Sequence, residues 1–322
     1  MPLGVGIIGT GLIGRDHARR ITRMLDGAEV VAVSDTDLDA ARRLAAELPN
    51  TSVLATGHEL VADEQVDAVL IAVPAAAHEE YAVAAVEAGK PVFCEKPLAS
   101  TEPSCRAIMA AEVAAGRRLL QVGFMRRYDP AYRELKQTLD NGGIGRPLIF
   151  YSIHRTVAAP ASWRGAMAIV DAAVHDFDIA RWLLGAELRS IRVYAGRRNH
   201  RSPDLHDPLL MVLETTSGTV VNVETSLNVG YGYDIRGEVV GESGTASLAA
   251  PGRPRDWRER FAAAYDIELQ EWIDAVRAGQ GASGPSTWDG YVAQVVSDAG
   301  ITSLHARAPV PVNLVAKPAI YG

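Results

Sequence analysis

Cysteine is scarce in this chain of 322 residues, which contains only Cys94 and Cys105. The two thiols have neither the spacing of a metal motif nor that of a redox pair, so no metal site is expected. Such sparse cysteine usage is typical of a reducing compartment, and we expect both thiols to be structural.

An excess of positive charge and long apolar runs are also missing. Lys and Arg number 32 against 39 Asp and Glu, and no segment concentrates cations as a nucleic-acid binder would. No apolar run approaches the ~20 residues of a membrane span. The apolar N-terminus lacks a basic leader and Arg15 follows directly, which predicts a strand and turn rather than a secretion signal. We therefore expect a cytoplasmic protein with no nucleic-acid or membrane partner.

The first 120 or so residues alternate between strand and helix patterns. The strand patterns are short and rich in β-branched residues, and lie at 5–9, 30–35, 66–73, 91–95 and 119–124. Ala- and Leu-rich helical stretches separate them. This alternation predicts an α/β domain over residues 1–123, with a doubly wound parallel sheet covered on both faces.

The pattern changes after a predicted helix at 130–141. Longer strands punctuated by Ser-Gly turns follow at 147–157 and 188–249, and helical patterns return at 256–278 and 288–306. Longer strands with turn residues between them are typical of an antiparallel sheet with one open face. We therefore predict a second domain over 124–322, of the α+β class, with a large, mostly antiparallel sheet.

A glycine-rich turn follows the first predicted strand and begins a helix. It is a GxGxxG pattern made of Gly9, Thr10, Gly11, Leu12, Ile13 and Gly14. The first glycine allows a tight turn, the second lets the backbone approach a pyrophosphate, and the third lets helix and strand pack closely. The free N–H groups and the dipole at the helix N-terminus favour the anion. A glycine turn used only for packing is the alternative.

An acidic residue supports a dinucleotide site. Asp35 ends the second predicted strand, 21 residues after Gly14, where a carboxylate would accept hydrogen bonds from the adenosine ribose. The residues that follow are Thr36 and Asp37, which offer no cation for a 2′-phosphate. The predicted cofactor is therefore NAD rather than NADP.

Further strand ends are expected to line the same crevice. The strand at 66–73 ends at Val73-Pro74 with His78 one turn on, and the next strand runs into Glu95-Lys96 before Pro97. Because proline restricts the residue before it, Lys96 is well placed to reach a nicotinamide. The alternative is a surface lysine before a turn. We add Val73, Pro74, His78, Glu95 and Lys96 to the predicted cofactor site.

Three ionisable residues interrupt an apolar stretch, Asp171, His175 and Asp178. On a helix they fall at i, i+4 and i+7 and share one stripe. One interpretation is a core histidine held by two carboxylates. The other is a carboxylate–imidazole pair facing a cleft, with Asp171 orienting His175 as the base that removes an alcohol proton. Together with a nicotinamide site, this pair predicts oxidation of an alcohol.

These motifs resemble those of the Gfo/Idh/MocA oxidoreductase family over essentially the whole chain. The Glu95-Lys96-Pro97 and Asp171-x-x-x-His175 motifs are more specific than the glycine loop. Within the family, the likeness is to the branch that oxidises inositol. It is carried by the segments at 124–136, 154–155, 231–244, 264–273 and 284–291.

The resemblance implies NAD, a catalytic trio of Lys96, Asp171 and His175, and a cyclitol substrate. The expected reaction converts myo-inositol to 2-keto-myo-inositol, with His175 as general base and Lys96 steadying the alkoxide. A cis Lys96–Pro97 bond and a homotetramer built through the C-terminal sheet are also implied. The residues implied at the substrate are Arg126, His154, Thr156, Tyr233, Asp171 and His175.

Thr156 departs from the inositol branch, which commonly has Asn after the His-Arg step. Thr cannot make the two-pronged amide contact to vicinal hydroxyls, and such changes alter discrimination between substrates. Another sugar or inositol isomer is therefore an open alternative. Two other classes also stay open, an NAD-assisted glycosidase and an NAD(P)-sensing regulator of the same fold.

Overall fold

A computed structural model of the chain describes residues 1–249, 252 and 254–322. Contacts divide it into two compact units: unit 1 is Met1–Phe124, Tyr265–Tyr291 and Ala316–Gly322, and unit 2 is Met125–Ala264 and Val292–Val315. The first division lies one residue from the predicted boundary. The predicted second domain covers all residues beyond 123, whereas two later segments belong to unit 1.

Unit 1 contains one six-stranded sheet in which every pairing is parallel. Its strands are β1 Leu3–Ile8, β2 Ala28–Ser34, β3 Ser52–Val53, β4 Ala68–Ile71, β5 Val92–Glu95 and β6 Leu120–Gly123. Their order, β3-β2-β1-β4-β5-β6, confirms the predicted doubly wound sheet. The two-residue β3 was not predicted because it is too short to give a pattern. The order reverses between β1 and β4, where such sheets bind ligands at their carboxyl ends.

Helices cover the sheet of unit 1. They are α1 Leu12–Arg23, α2 Leu38–Ala45, α3 Gly57–Ala62, α4 His78–Glu87 and α5 Glu102–Ala115. A later helix, α9 Ala262–Arg277, supplies the returning segment. Its Leu269, Trp272 and Ile273 are fully buried in the core of unit 1 with Phe93. Burial of these large apolar side chains explains why the chain returns to this unit.

Unit 2 contains a seven-stranded mixed sheet. Its strands are β7 Pro147–Arg155, β8 Leu188–Ala195, β9 Leu209–Thr215, β10 Val220–Ser226, β11 Asp234–Gly241, β12 Thr245–Ser247 and β13 Val310–Pro311. Among the described strands of this second sheet, only the β7–β10 pairing is parallel, which confirms a mostly antiparallel sheet. Along β7, Phe150, Ser152 and His154 are buried while Tyr151 between them is 40% exposed, so one face is open.

Further α-helices in the described part of the chain are α6 Pro130–Asp140, α7 Val174–Leu184, α8 Trp257–Arg260 and α10 Thr287–Ala306. The helix predicted through Asp171 is not a single α-helix. Ala168–Ala172 forms a π-helical turn, in which the Ala173 N–H donates to the Ala168 carbonyl five residues back. Such turns occur frequently at functional sites. In the described part of the chain, no helix is both long and apolar enough to cross a membrane.

Candidate functional site

The three glycines of the GxGxxG loop have different surroundings. Gly9 has a φ of +99°, and a Cβ on it would lie 2.5 Å from the Ala72 carbonyl oxygen. A Cβ on Gly14 would lie 2.0 Å from the Gly9 carbonyl oxygen. A Cβ on Gly11, in contrast, would meet no described atom within 4 Å. The first and third glycines are therefore required by packing, and the second leaves the backbone accessible.

Helix α1 begins directly after Gly11. Among the described residues, no side chain caps its N-terminus and no acidic residue lies in its first turn. Leu12 is 55% exposed and Ile13 is half-buried. The first N–H groups of the helix are thus available to an anion, as binding of a pyrophosphate requires.

Asp35 follows β2 and is fixed against the glycine loop. Its Oδ2 accepts hydrogen bonds from the N–H of Thr10 at 2.6 Å and from the Thr10 hydroxyl at 2.9 Å. Burial acts to raise the pKa of Asp35, but the hydrogen bonds from the Thr10 and Asp37 N–H groups outweigh it and lower the pKa. The carboxylate is therefore charged, and its charge disfavours a second anion beside it.

The ends of β4 and β5 are joined through His78. Its Nε2 lies 2.8 Å from the Val73 carbonyl oxygen and its Nδ1 lies 2.9 Å from that of Pro97. The ring is 1% exposed, and burial lowers its pKa. His78 therefore holds the segment after Val73 against the Lys96–Pro97 turn. Its contact with a cofactor stays a prediction, as do those of Val73 and Pro74.

Lys96 follows a buried carboxylate at the end of β5. Glu95 Oε1 lies 2.7 Å from His17 Nε2, and Glu95 Oε2 accepts the Lys96 N–H at 3.1 Å. The Lys96–Pro97 bond is cis, as the resemblance implied. His17 is not among the predicted site residues, although it is buried in α1 with Gly14, Ala18 and Ile21.

Unit 2 contains a fully buried polar cluster on the inner face of its sheet. Arg126 Nη1 donates to Asp176 Oδ1 at 2.6 Å, and the Ser152 hydroxyl donates to the same oxygen at 2.7 Å. His154 Nδ1 lies 3.0 Å from Asp176 Oδ2. Burial acts to raise the pKa of Asp176, but the charge of Arg126 and the contact with His154 lower it to about 2.

Tyr233 borders this cluster. Its ring meets that of His154 edge-on with centroids 6.0 Å apart. The residue is 5% exposed, and burial raises its pKa to about 12, although the charge of Arg126 acts in the opposite direction. Tyr233 is therefore a neutral hydroxyl at neutral pH. The structure brings together Arg126, His154 and Tyr233, three of the predicted substrate residues, and adds Asp176.

The three ionisable residues of the interrupted apolar stretch have different surroundings. Asp171 is half-buried in the π-helical turn, and His175 is 8% exposed in the first turn of α7. Asp178 is buried in a two-pronged ion pair with Arg127. Asp178 is thus accounted for by a structural ion pair, and the catalytic roles of Asp171 and His175 stay a prediction.

Thr156, directly after β7, is hydrogen-bonded to backbone carbonyl groups of the neighbouring chain segment. Its hydroxyl donates to the Leu227 carbonyl oxygen at 2.8 Å, and its N–H donates to the Ser226 carbonyl oxygen at 3.1 Å. The Thr156 proton is therefore used within the protein, and only the lone pairs of its oxygen are left for a ligand.

Both cysteines, Cys94 and Cys105, are buried. Burial raises the pKa of the Cys94 thiol well above its ordinary value, so this thiol is protonated at neutral pH. No group of three or more His, Cys, Asp or Glu side chains that could hold a metal occurs within residues 1–249, 252 and 254–322.

Comparison with known proteins identifies the family. Residues 3–124 match the model of an oxidoreductase family with an NAD-binding Rossmann fold, and residues 132–247 match the GFO/IDH/MocA C-terminal domain. The chain belongs to the Gfo/Idh/MocA oxidoreductase family. The glycine loop, Asp35 and the Lys96 turn thus belong to the NAD-binding domain of this family.

Two Gfo/Idh/MocA relatives are similar over nearly their full lengths. The inositol 2-dehydrogenase of Acidothermus cellulolyticus is 48% identical over 95% of this chain and 94% of its own. Inositol 2-dehydrogenase 3 of Saccharopolyspora erythraea is 47% identical over 100% of this chain and 99% of its own.

A solved structure is also similar throughout. The myo-inositol dehydrogenase of Lactobacillus casei, in complex with NAD(H) and myo-inositol, has a TM-score of 0.97 and 37% identity, covering 100% of both chains.

Proposed function

We propose that this protein is an NAD-dependent dehydrogenase that oxidises a ring hydroxyl of a cyclitol, with myo-inositol converted to 2-keto-myo-inositol. The observation that carries the proposal is the near-half identity with inositol 2-dehydrogenases over the whole chain. The Lactobacillus casei structure with NAD(H) and myo-inositol supports it.

The residues of unit 1 fit NAD. The accessible backbone at Gly11 and the first turn of α1 would hold the pyrophosphate, and Asp35 would accept the ribose hydroxyls. The charge of Asp35 favours a ribose over a 2′-phosphate. When bound, NAD supplies the acceptor for a hydride.

We assign the chemical roles by the motifs. His175 takes the proton from the substrate hydroxyl, and Asp171 orients His175 and raises its basicity. Lys96 donates a hydrogen bond to the reacting oxygen and stabilises its developing negative charge. The reaction is balanced, because the hydroxyl proton goes to His175 and the hydride of the carbon goes to the acceptor that NAD would supply.

The buried cluster of unit 2 supports recognition of a polyhydroxylated ring. Arg126 is 1% exposed and its guanidinium contacts Asp176 and His154, so we assign it to positioning His154. His154 and the neutral hydroxyl of Tyr233 are then the groups that contact ring hydroxyls. Buried polar groups that need a partner reject substrates lacking the matching hydroxyl.

A related ring is the second candidate, and Thr156 favours it. Because its hydroxyl proton is donated to Leu227, Thr156 can only accept a hydrogen bond from a ligand. Thr156 would therefore contact fewer ring hydroxyls than an amide would, and a different inositol isomer or an aldose would be accepted. The presence of Lys96, Asp171 and His175 disfavours a sensor without catalysis.

Absorbance of NADH tests the function. The purified protein would be assayed with NAD and myo-, scyllo- and chiro-inositol, glucose, xylose and an anhydrosugar. The His175→Ala variant should lose the signal, while the matched variant His58→Ala, whose side chain is 55% exposed, should keep it. Activity on another ring alone would move the proposal to that substrate. No NADH with any ring, despite NAD binding, would favour the glycosidase or the sensor.

We propose in addition that this cytoplasmic enzyme forms a homotetramer through the outer face of the unit 2 sheet. Exposed apolar side chains on that face, Tyr151 and Leu210, line a groove of about 750 Å³. Light scattering should give four times the 34.4 kDa chain mass. A double Tyr151→Asp, Leu210→Asp variant should be smaller, while Met24→Asp, at an exposed site in unit 1, should not. A monomeric wild type would contradict the proposal.

A further inference from the structure

The turn that carries Lys96 is held from within unit 1 by a buried histidine that no motif includes. His17 is 0% exposed in α1, the helix that begins at the glycine loop. Its Nε2 lies 2.7 Å from Glu95 Oε1, and the other oxygen of Glu95 accepts the Lys96 N–H at 3.1 Å. One buried carboxylate therefore connects the side chain of His17 with the backbone of Lys96.

The hydrogen-bond geometry of His17 indicates which of its ring nitrogens is the donor. Its Nδ1 meets no hydrogen-bond partner among the described residues. A proton on Nδ1 would be a buried, unpaired donor, so the proton belongs on Nε2, where it is donated to Glu95. His17 is thus a fixed donor to one oxygen of Glu95, which leaves the other oxygen for Lys96.

The ring of His17 is held in place by aromatic neighbours. Phe93 of β5 and Tyr265 of α9 each lie with ring centroids 5.7 Å from it. Gly123 of β6 leaves room for the carboxylate, because a Cβ added there would lie 3.3 Å from Glu95 Oε2. His17 is therefore packed through Phe93 against β5, the strand that ends at Glu95.

We propose that His17 is a positioning residue for Lys96, acting through Glu95. Because α1 also presents its N-terminus to the pyrophosphate, the same helix would bind the cofactor and fix the turn that carries Lys96. This inference rests on the proposed role of Lys96 in the reaction. It goes beyond that role by naming the residue that holds the backbone of Lys96 in place.

Lysine-selective NMR tests the connection without any substrate. The chain has only four lysines, Lys90, Lys96, Lys136 and Lys317, so a ¹⁵N-lysine spectrum contains four backbone signals. The Lys96 signal would be assigned with Lys96→Arg. His17→Phe keeps an aromatic ring but removes the donor, and should shift the Lys96 signal while leaving the other three in place.

Two further variants separate positioning from general damage. His17→Gln retains an N–H donor at the same reach and should restore the Lys96 signal. His58→Phe is the matched control, because His58 Nε2 also lies 2.7 Å from a glutamate, Glu80, but at an exposed site of the same unit. It should leave the Lys96 signal unchanged.

Kinetics then ask whether the connection matters for catalysis. With the ring substrate that gives NADH, His17→Phe should lower kcat by roughly 10- to 100-fold, because a small displacement of a reacting group is costly. The NAD dissociation constant should change by less than about threefold, and His17→Gln should recover most of kcat. A purely structural role would instead lower activity of both variants in parallel with their stability.

Either of two results would overturn the proposal: an unmoved Lys96 signal in folded His17→Phe, or a moved signal with wild-type kcat. Failure of the proposed function is distinguishable from this, because it leaves the wild type without NADH formation on any ring. In that case the Lys96 signal alone decides whether His17 positions the turn. If His17→Phe does not fold, His17→Leu, which also removes the donor, supplies the same comparison.

Discussion

Asp176 and Arg126 form an ion pair at 2.6 Å in which both side chains are almost completely removed from solvent. We predict that Asp176→Asn lowers the free energy of unfolding by about 3–5 kcal/mol, because it leaves the Arg126 cation buried without its partner. Urea unfolding measures this. The control is Glu214→Gln in the exposed pair with Arg189, which should cost ~0–1 kcal/mol. Equal costs would contradict the importance of the buried pair.

The same carboxylate predicts an acid dependence of stability. The pKa of Asp176 is about 2 in the folded protein, below the ~3.9 of an unfolded Asp. A depressed folded pKa contributes stability that is present above the unfolded pKa and is lost as the pH falls toward the folded one. The wild type should therefore lose on the order of 2–3 kcal/mol between about pH 5 and pH 1 from this residue. Unfolding of Asp176→Asn across that range should lack this component, and identical slopes would contradict it.

The positions that the strand pattern predicts correctly are those that depend on neighbours in the chain. The glycine loop, Asp35 and the Lys96 turn each follow a strand, and all three lie at the carboxyl ends of one sheet. His17 and Asp176 have partners 78 and 50 residues away, and no local pattern encodes such pairings. The return of Trp272 to the core of unit 1 was missed for the same reason. The π-helical turn at Asp171 could not be predicted, because the spacing of its apolar residues also fits an α-helix.

Cofactor preference is predicted to depend on Asp35. Asp35→Ser removes the negative charge that opposes a 2′-phosphate, so binding of NAD should weaken while discrimination against NADP relaxes. The ratio of NAD to NADP dissociation constants measures the change. Asp37→Ser is the matched control, since it removes a nearby charge from the cap of α2, where serine caps equally well. An unchanged ratio in Asp35→Ser would mean that Asp35 does not contact the ribose.

The glycines of the loop should separate binding from folding. Gly14→Ala places a Cβ about 2.0 Å from a backbone oxygen and should destabilise unit 1 strongly. Gly11→Ala meets no described atom, and Gly11 has an ordinary φ of -66°, so its cost should not exceed about 1 kcal/mol from the poorer helix cap. NAD binding should nevertheless weaken in Gly11→Ala, because the added methyl group occupies the approach to the pyrophosphate. Titration and thermal unfolding of both variants measure the two effects, and tight NAD binding by Gly11→Ala would contradict the assigned site.

The chain terminus is anchored by a buried carboxylate unrelated to the reaction. Glu112 Oε1 accepts the N–H groups of Leu119 and Leu120, at 2.6 and 2.8 Å. Its other oxygen accepts the hydroxyls of Thr287 and Tyr321, and the bond from Tyr321 is 2.7 Å long. All four donors lie in unit 1, so this carboxylate holds residues 319–322 against the rest of unit 1.

Tyr321→Phe removes one of these donors and keeps the ring. Because the Glu112 carboxylate loses a charge-assisted hydrogen bond, the free energy of unfolding should fall by about 1–3 kcal/mol. Tyr194→Phe, at a side chain that is 50% exposed, is the control and should change stability by less than about 0.5 kcal/mol. The kcat of the folded Tyr321→Phe variant should match that of the wild type, since Glu112 takes no part in the proposed reaction. A fall in kcat without a fall in stability would place the C-terminus in the catalytic machinery instead.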